Sequence, residues 1–461
     1  MTFLFSVSSV FAQGPKVVVV GAGLAGLTTA YRLQQQGLDV HLYEARQRVG
    51  GRILTATVGG YDTELGGMNF CDGGEATNTR KLIEDLGLEL IESKVRISHL
   101  YFDGEQFLSE SAMLKEKVDP VELKTKLDKL KKTSQNMREV LDNLFDRNDI
   151  LYKTSEVKLA GFEGGSVDKL SSHYVNTLYY MLLGGIAPVH QENLIDFATI
   201  KGGNSLLTET LAQLLGDRVH LNYPLTKVSK GKNRAYLLTF SDKYQEEADI
   251  LVLAIPCSIY TDIVFEVGII PEARLSHIKE VQYGENAKVI IPFAKAPEDL
   301  TTIVTNRVVG FFDAAGTILT VYYTGKASHF DKNSFEDVFR QEVPMLQKRF
   351  GSALIVSLLK PTYAKDQPFM LYDTVVGYSW PNDPYVKGSY AYIAAGQEKV
   401  LTEITNDQSE QIKTLFAPID RHLYFVGEHT STLLNAAGTM EAACESGERA
   451  ARMIVKSANG Q

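Results

Sequence analysis

Cysteine is scarce in this chain. Three occur in 461 residues, Cys71, Cys257 and Cys444, with no CxxC pair and none of the spacings that zinc ligands show. The nine histidines form no HExxH, so no metal site is expected. Long apolar runs are missing as well: nothing reaches the roughly 18 residues that a membrane-spanning helix needs. Positive charge is in deficit, 47 Lys and Arg against 56 Asp and Glu, a net charge of −9. That balance argues against nucleic acid or an anionic membrane surface as the main partner and mildly favours a cationic substrate. Tryptophan occurs once, at Trp380. What remains is ordinary globular composition, 44% hydrophobic and 22% charged, long enough for two or three domains. The stretch Phe3–Ala12 has the apolar run and small-residue end of a secretory signal but lacks its basic leader. Two readings fit: a signal with a misplaced start, which would make the mature protein periplasmic or secreted, or an extension on a cytoplasmic protein. No feature reports an oligomeric state.

The most informative stretch is residues 16–52. Lys16–Val20 is a continuous apolar run, expected as a strand buried on both faces. It breaks into Gly21-Ala22-Gly23-Leu24-Ala25-Gly26, and a helical period follows through Leu24, Leu27, Tyr31 and Leu33. A second strand, Asp39–Tyr43, ends on Glu44. Each residue type has a physical task. Gly21 permits the tight turn, Gly23 lets backbone approach a pyrophosphate, and Gly26 lets helix pack closely on strand. The helix N-terminus offers unpaired N–H groups and a positive dipole end to phosphate. Glu44 is placed to accept hydrogen bonds from a ribose diol. A glycine turn alone is weak, but strand, helix, second strand and terminal acid all stand in register. A glutamate at that point disfavours a 2′-phosphate and leaves NAD or FAD.

The residues that follow, Glu44-Ala45-Arg46-Gln47-Arg48-Val49-Gly50-Gly51-Arg52, resemble the signature of the flavin-containing amine oxidases. Here Gly50 and Gly51 let the chain pass close to a cofactor, and Arg46 and Arg52 offer forked cations to phosphate. The resemblance points to FAD. It extends along most of the chain. Gly66-Gly67-Met68 matches a segment whose backbone runs beside the flavin ring in that family, and a backbone segment near Val228 matches one that meets the adenine. Lys288, in Tyr283–Ile291, matches a lysine that contacts a water at flavin N5 and assists reaction with oxygen; read without the family, it is an edge lysine snorkelling from an apolar strand. Trp380-Pro381-Asn382-Asp383-Pro384 through Gly388 and Tyr390 is similar to the W-x-x-D-P-x-x-x-G-x-Y segment of amine and polyamine oxidases. Ser389 stands where the mitochondrial monoamine oxidases carry the cysteine that bonds the flavin, so non-covalent FAD is expected. Finally, Leu423–Thr430 ends a strand on Gly427-Glu428, and Gly438-Thr439-Met440-Glu441 opens a helix toward the cofactor. Thr439 occupies the place of the second cage tyrosine of the monoamine oxidases, which weakens the expectation of their selectivity.

Between these motifs, Leu114–Leu151 is striped with Lys, Glu, Asp and Leu at helical spacing, as expected for the solvated face of a packed helix. His173–Met181 reads as a cavity-lining helix, residues 333–350 as one amphipathic helix, and Cys257 as a packed thiol with no basic sequence neighbour.

The expected fold class is α/β, a Rossmann-like FAD-binding domain with an interleaved α+β substrate-binding domain. The segments expected are an N-terminal extension, 1–13; FAD domain, 14–93, 197–280 and 387–457; and substrate domain, 94–196 and 281–386. The resemblance implies oxidation of a primary or secondary amine, including a polyamine, to an imine by hydride transfer to flavin N5, with O2 reduced to H2O2. Lys288, Tyr390 and Trp380 are the expected catalytic-site residues. For a polyamine, Glu64, Asp72 and Glu75 are candidate carboxylates; for an L-amino acid, Arg80, Arg96 and Arg307 are candidate carboxylate binders. A carotenoid- or porphyrinogen-type dehydrogenase, and from another class a flavin-binding partner protein without catalysis, are the remaining alternatives.

Overall fold

The computed structural model describes residues 14–459 apart from 97–98, 110–118, 184–193, 242, 294–301, 314–315, 332–333, 351–361, 364–369, 372–374 and 434–435. The signal-like stretch within residues 1–13 therefore lies outside the described residues.

Lys16–Val20 is a strand, and Val17 to Val20 are all buried. The reason is a layer on each side. Val17 and Val19 pack with Leu27, Leu33 and Ile454 of helices Leu24–Gln35 and Met440–Ala458. Val18 and Val20 face the other way, onto Val228, Leu238 and Phe240 of a four-stranded sheet. Alternation thus sends successive valines to opposite apolar layers, which is why the run contains no polar residue. Five strands form this parallel sheet in the order Leu423–Phe425, Ile250–Leu253, Lys16–Val20, Asp39–Glu44, Val219–Leu221. Residues far apart in sequence complete one sheet, as a doubly wound nucleotide-binding fold requires.

A second sheet of nine strands contains Asn286–Pro292 near its middle, antiparallel to Ile318–Thr324 on one side and Val376–Ser379 on the other. Its far edge borrows His99–Phe102, which pairs parallel with Thr302–Val304. Helices Pro120–Thr133, Met137–Asp142, Ile150–Glu163 and Val175–Leu182 build a separate apolar cluster against it. The charge-striped stretch accordingly breaks at Asn136 and Asp149, whose side chains accept from the amides of Glu139 and Leu151 and so start new helices. Leu123, Leu127 and Leu130 are buried on the first of them, and its lysines lie on the other face. Residues 114–118 lie outside the described residues. The single helix expected over 333–350 is two, Phe335–Arg340 and Val343–Phe350, because Pro344 lacks the N–H that would continue the first and suits the opening turn of the second.

The fold is mixed α/β. We propose the division into interleaved cofactor and substrate units on this sheet membership. The two strands Leu90–Arg96 and Leu194–Ile200, which pair with each other, straddle the expected boundaries at 93/94 and 196/197. No helix among the described residues is long and apolar enough to cross a membrane.

Close packing of helix on strand rests on Gly26. A Cβ there would stand 2.0 Å from the Gly21 carbonyl oxygen and 2.9 Å from the Ala254 methyl. Gly26→Ala is expected to cost about 1–3 kcal/mol through overpacking, read as a lower Tm. A variant with unchanged Tm would show that the helix shifts without cost.

Candidate active site

A cavity of 1120 Å³ runs along the carboxyl ends of the parallel strands and on beneath the nine-stranded sheet. Ligands of open α/β sheets bind at this edge. At one end its wall is built by Gly21, Gly23, Leu24 and Ala25 of the first turn; Glu44, Ala45 and Arg46 after the second strand; and Gly51 and Arg52 beyond. Gly66, Gly67 and Met68, then Gly427 and Glu428, then Thr439 and Met440 continue it. Segments spread over most of the chain therefore meet around one space.

Three of the expected cofactor residues do not line it. Gly26 lies under the turn, as its packing role requires. Gly50 donates its N–H to the Ala22 carbonyl at 2.8 Å and holds the second glycine pair against the first. Val228 is the third. It is fully buried in the four-stranded sheet, paired with Leu238 and Phe265, and its carbonyl accepts from the Glu266 amide. The wall there is made slightly earlier, by Tyr223, Pro224, Leu225 and Thr226, where the ladder is irregular between Leu225 and Lys227.

Two observations show that this end fits a dinucleotide. A Cβ on Gly23 would meet no atom within 4 Å, so the backbone at the helix N-terminus faces open cavity that phosphate can fill. Glu428 Oε2 is buried and has no hydrogen-bond partner, which a ribityl or ribose hydroxyl would supply. Glu44 is partly engaged, its two oxygens accepting from the Ala22 and Arg46 amides at 2.8 and 2.9 Å, so it braces the turn as well as facing the cavity. The two arginines are paired. Arg46 contacts Asp383 and lies over the Tyr385 ring; Arg52 donates to the Ser389 carbonyl at 2.7 Å and to Glu428 at 2.8 Å. Burial alone would raise the Asp383 and Glu428 carboxyls, but Arg46 and Arg52 outweigh it and hold both below the usual range.

At the other end Lys288 sits in the strand Asn286–Pro292, 4% exposed. It is therefore no edge lysine. Its Nζ donates to the carbonyls of Gly66 at 2.5 Å and Glu64 at 3.2 Å, and stands 5.0 Å over the Tyr322 ring. Burial lowers its pKa to about 8, against the opposing pull of Glu64 and Asp72. Trp380 donates its Nε1–H to the Leu65 carbonyl at 2.9 Å and packs on Tyr378. The Tyr390 hydroxyl lies 2.7 and 2.9 Å from the carbonyl oxygens of Gly161 and Phe162 and accepts from Asn286. Of the candidate carboxylates, Asp72 lines the cavity, exposed to its interior and pushed up to about 6 by burial within the protein. Glu64 is held below the wall by Thr55 and the Asn204 amide, and Glu75 is on the outer surface. Arg80 and Arg307 pair outside the cavity, with Glu92 and Glu342; the side chain of Arg96 lies outside the described residues. Cys257 is buried, its thiol pushed well up by desolvation, a packed residue as expected.

The model of the flavin containing amine oxidoreductase family matches residues 24–455. The chain belongs to this family. It is a flavin-dependent oxidoreductase acting on amines. Among curated relatives it is 25% identical to human amine oxidase [flavin-containing] B over 95% of this chain and 86% of that one. It is 24% identical to the L-amino-acid oxidase BmooLAAO-I of Bothrops moojeni over 95% and 89%. Among solved structures, putrescine oxidase bound to putrescine superposes with a TM-score of 0.71 at 19% identity, over 96% of this chain and 99% of that one, which shows a shared fold.

Sequence reasoning missed several lining residues of this amine oxidase: Tyr322, Asn286, Glu163 and the Tyr223–Thr226 wall. Tyr322 had a signal, since strand alternation puts it on one face with Thr320 and Thr324, but only the pairing of Lys288 with Tyr322 brings it to the site.

The Arg46–Asp383 pair, with side chains 11% and 1% exposed, yields a test. Asp383→Ala leaves the buried guanidinium with only the longer Glu44 contact at 3.7 Å and is expected to cost about 3 kcal/mol, seen as a lower Tm. Because the folded carboxyl is depressed, its contribution is present above the unfolded carboxylate pKa and fades as pH falls through the folded one. The Tm deficit of the variant should therefore shrink in acid; a deficit independent of pH would rule out the ion pair as its cause.

Proposed function

We propose that this enzyme binds FAD non-covalently and oxidises a primary or secondary amine to an imine, with O2 reduced to H2O2. The observation that carries the reading is Lys288, a buried ammonium beside the cavity, bonded to the Gly66 carbonyl in the segment that walls the cofactor end. Bound FAD would supply the two-electron acceptor, taking hydride from the carbon next to nitrogen and returning the electrons to dioxygen.

The chain's own residues supply position and charge. Gly23 and the helix Leu24–Gln35 would hold the pyrophosphate, and Glu44 and Glu428 the sugar-side hydroxyls. Gly66, Gly67 and Met68 would run beside the ring, and the first turn of the helix Met440–Ala458, capped by Thr439, would aim its positive end at it. Tyr390 and Trp380 wall the space beside the ring, and Tyr322 adds a second ring that Thr439 does not provide. An amine entering this closed space is desolvated, which favours its neutral, reactive form. Ser389, which also lines the cavity, has no thiol to bond a flavin, consistent with non-covalent binding.

The substrate end favours amines over amino acids. Its charged lining groups are Asp72, Glu163, Lys158 and Lys288, and the lining arginines, Arg46 and Arg52, are paired at the cofactor end.

Peroxide release from the holoprotein with monoamines, polyamines and L-amino acids tests the reading. Lys288→Met is expected to slow reoxidation by O2 about 10²-fold while anaerobic bleaching by amine persists. In the wild type that oxygen step should fall as pH rises through about 8, where Lys288 loses its charge, and the variant should show no such limb. Bound flavin that no amine bleaches would overturn catalysis in favour of a flavin-binding partner role.

A further inference from the structure

The strand Asn286–Pro292 pairs on one side with Ile318–Thr324, and the register sets Lys288 directly opposite Tyr322. On the other side it pairs with Val376–Ser379, which sets Lys288 opposite Tyr378. Directly opposed residues share a face of a sheet, so the lysine stands in a row between two tyrosines. The two tyrosines differ. Tyr378 turns its hydroxyl to Asp383 and packs its ring on Trp380. Tyr322 lies under the ammonium, with Nζ 5.0 Å from the ring centroid, and it lines the cavity with Lys288. Phe311 meets that ring edge-on at 5.7 Å and 84°, which fixes the plane it presents.

A buried ammonium needs compensation for the water it has lost. Two of the three N–H donors of Lys288 go to the Gly66 and Glu64 carbonyls. The acids that act on it, Glu64 and Asp72, are each bonded elsewhere. Glu64 accepts from Thr55 and the Asn204 amide, and Asp72 from the Asn69 side chain. The other group facing the ammonium is the Tyr322 ring, whose negative π face attracts a cation at this distance. Burial and Asp72 push the Tyr322 hydroxyl well up, so the ring stays a neutral phenol while Lys288 titrates.

We propose that Tyr322 is a positioning residue for Lys288, its ring face holding the ammonium charged and in place beside the Glu64–Gly66 segment, and that it thereby sets the upper pH limit of the oxygen step. The inference rests on the amine-oxidase reading above and adds a residue to it. Asp72 opens onto the cavity and loses its charge below about pH 6. A ring face locked in a sheet does not titrate, so it supports the cation steadily as substrate comes and goes.

Two measurements test this. Holoprotein whose flavin has been reduced photochemically, with no amine needed, is mixed with O2 across pH. Separately, holoprotein isotope-labelled at the lysine ε-carbons is titrated by NMR, with the Lys288 resonance identified by its loss in Lys288→Met. Tyr322→Phe keeps the ring and should leave both midpoints where the wild type has them. Tyr322→Leu should move both down by about one pH unit. Because leucine also changes the space, mono-, di- and trifluorinated phenylalanines in place of Tyr322 form the sharper series. Fluorine drains the ring face at nearly constant volume, and both midpoints should fall step by step with it; a merely structural role would give no such gradient. Midpoints equal to wild type in Tyr322→Leu and throughout the fluorinated series would overturn the proposal and leave the oxidase reading intact. Reoxidation untouched by Lys288→Met would overturn the oxygen role and with it the pH limit, whereas a lysine midpoint that still falls with fluorine would uphold the ring contact.

Discussion

The part-buried contact between Arg52 and Glu428 is the point on which the cofactor end of the cavity depends. Arg52 follows the second strand of the parallel sheet and Glu428 follows its last-added strand, Leu423–Phe425. The guanidinium also donates to the Ser389 carbonyl, and Glu428 accepts from the Ala391 amide at 3.1 Å. Three segments distant in sequence are therefore joined at one charged node. Neither ion would be tolerated alone: burial drives Arg52 toward losing its proton and Glu428 toward gaining one, and each reverses the tendency in the other. The second oxygen of Glu428 remains without a partner, so the node that closes the fold also leaves one acceptor facing the cavity.

Charge in the cavity is graded along its length. At the cofactor end, arginines and carboxylates are matched, Arg46 with Asp383 and Arg52 with Glu428, and the wall contributes dipoles more than net charge. At the middle, Lys288 is a cation held by carbonyls, and burial lowers its pKa to about 8 against the pull of Glu64 and Asp72. At the far end, Glu163 is an acid without a paired cation among the described residues, held by a hydroxyl alone. Burial along the cavity is what shifts Lys288 down and Glu163 and Asp72 up, so shape and proton affinity are linked here.

Much of the cofactor end was legible in the chain because its signals are local. The Val17–Val20 run, the turn at Gly21–Gly26 and the acid Glu44 lie within one strand–helix–strand unit, where spacing determines which residues face a phosphate. The Gly427-Glu428 and Thr439-Met440 turns, expected from the family resemblance, line the same cavity. That Val228 itself is buried while Tyr223–Thr226 line the cavity was not legible, because the sequence shows a strand but not which of its residues reach the wall. Tyr322 and Glu163 left no comparable trace: a tyrosine in a strand and an acid at a helix end are common features with many uses.

The sequence by itself determined the family, the doubly wound sheet and the residues of the glycine turns, because hydrophobic period and turn chemistry act over a few residues. The tertiary structure decided which charges neutralise one another and which remain available. Pairing of Asn286–Pro292 with Ile318–Thr324 turned Lys288 from an apparent edge residue into a buried cation over Tyr322. Docking of the helical layer carried Glu163 to the cavity, and its packing with Thr177 fixed where the carboxylate points. Those outcomes depend on desolvation and on contacts between residues far apart in sequence, and neither quantity is carried by any short stretch of the chain.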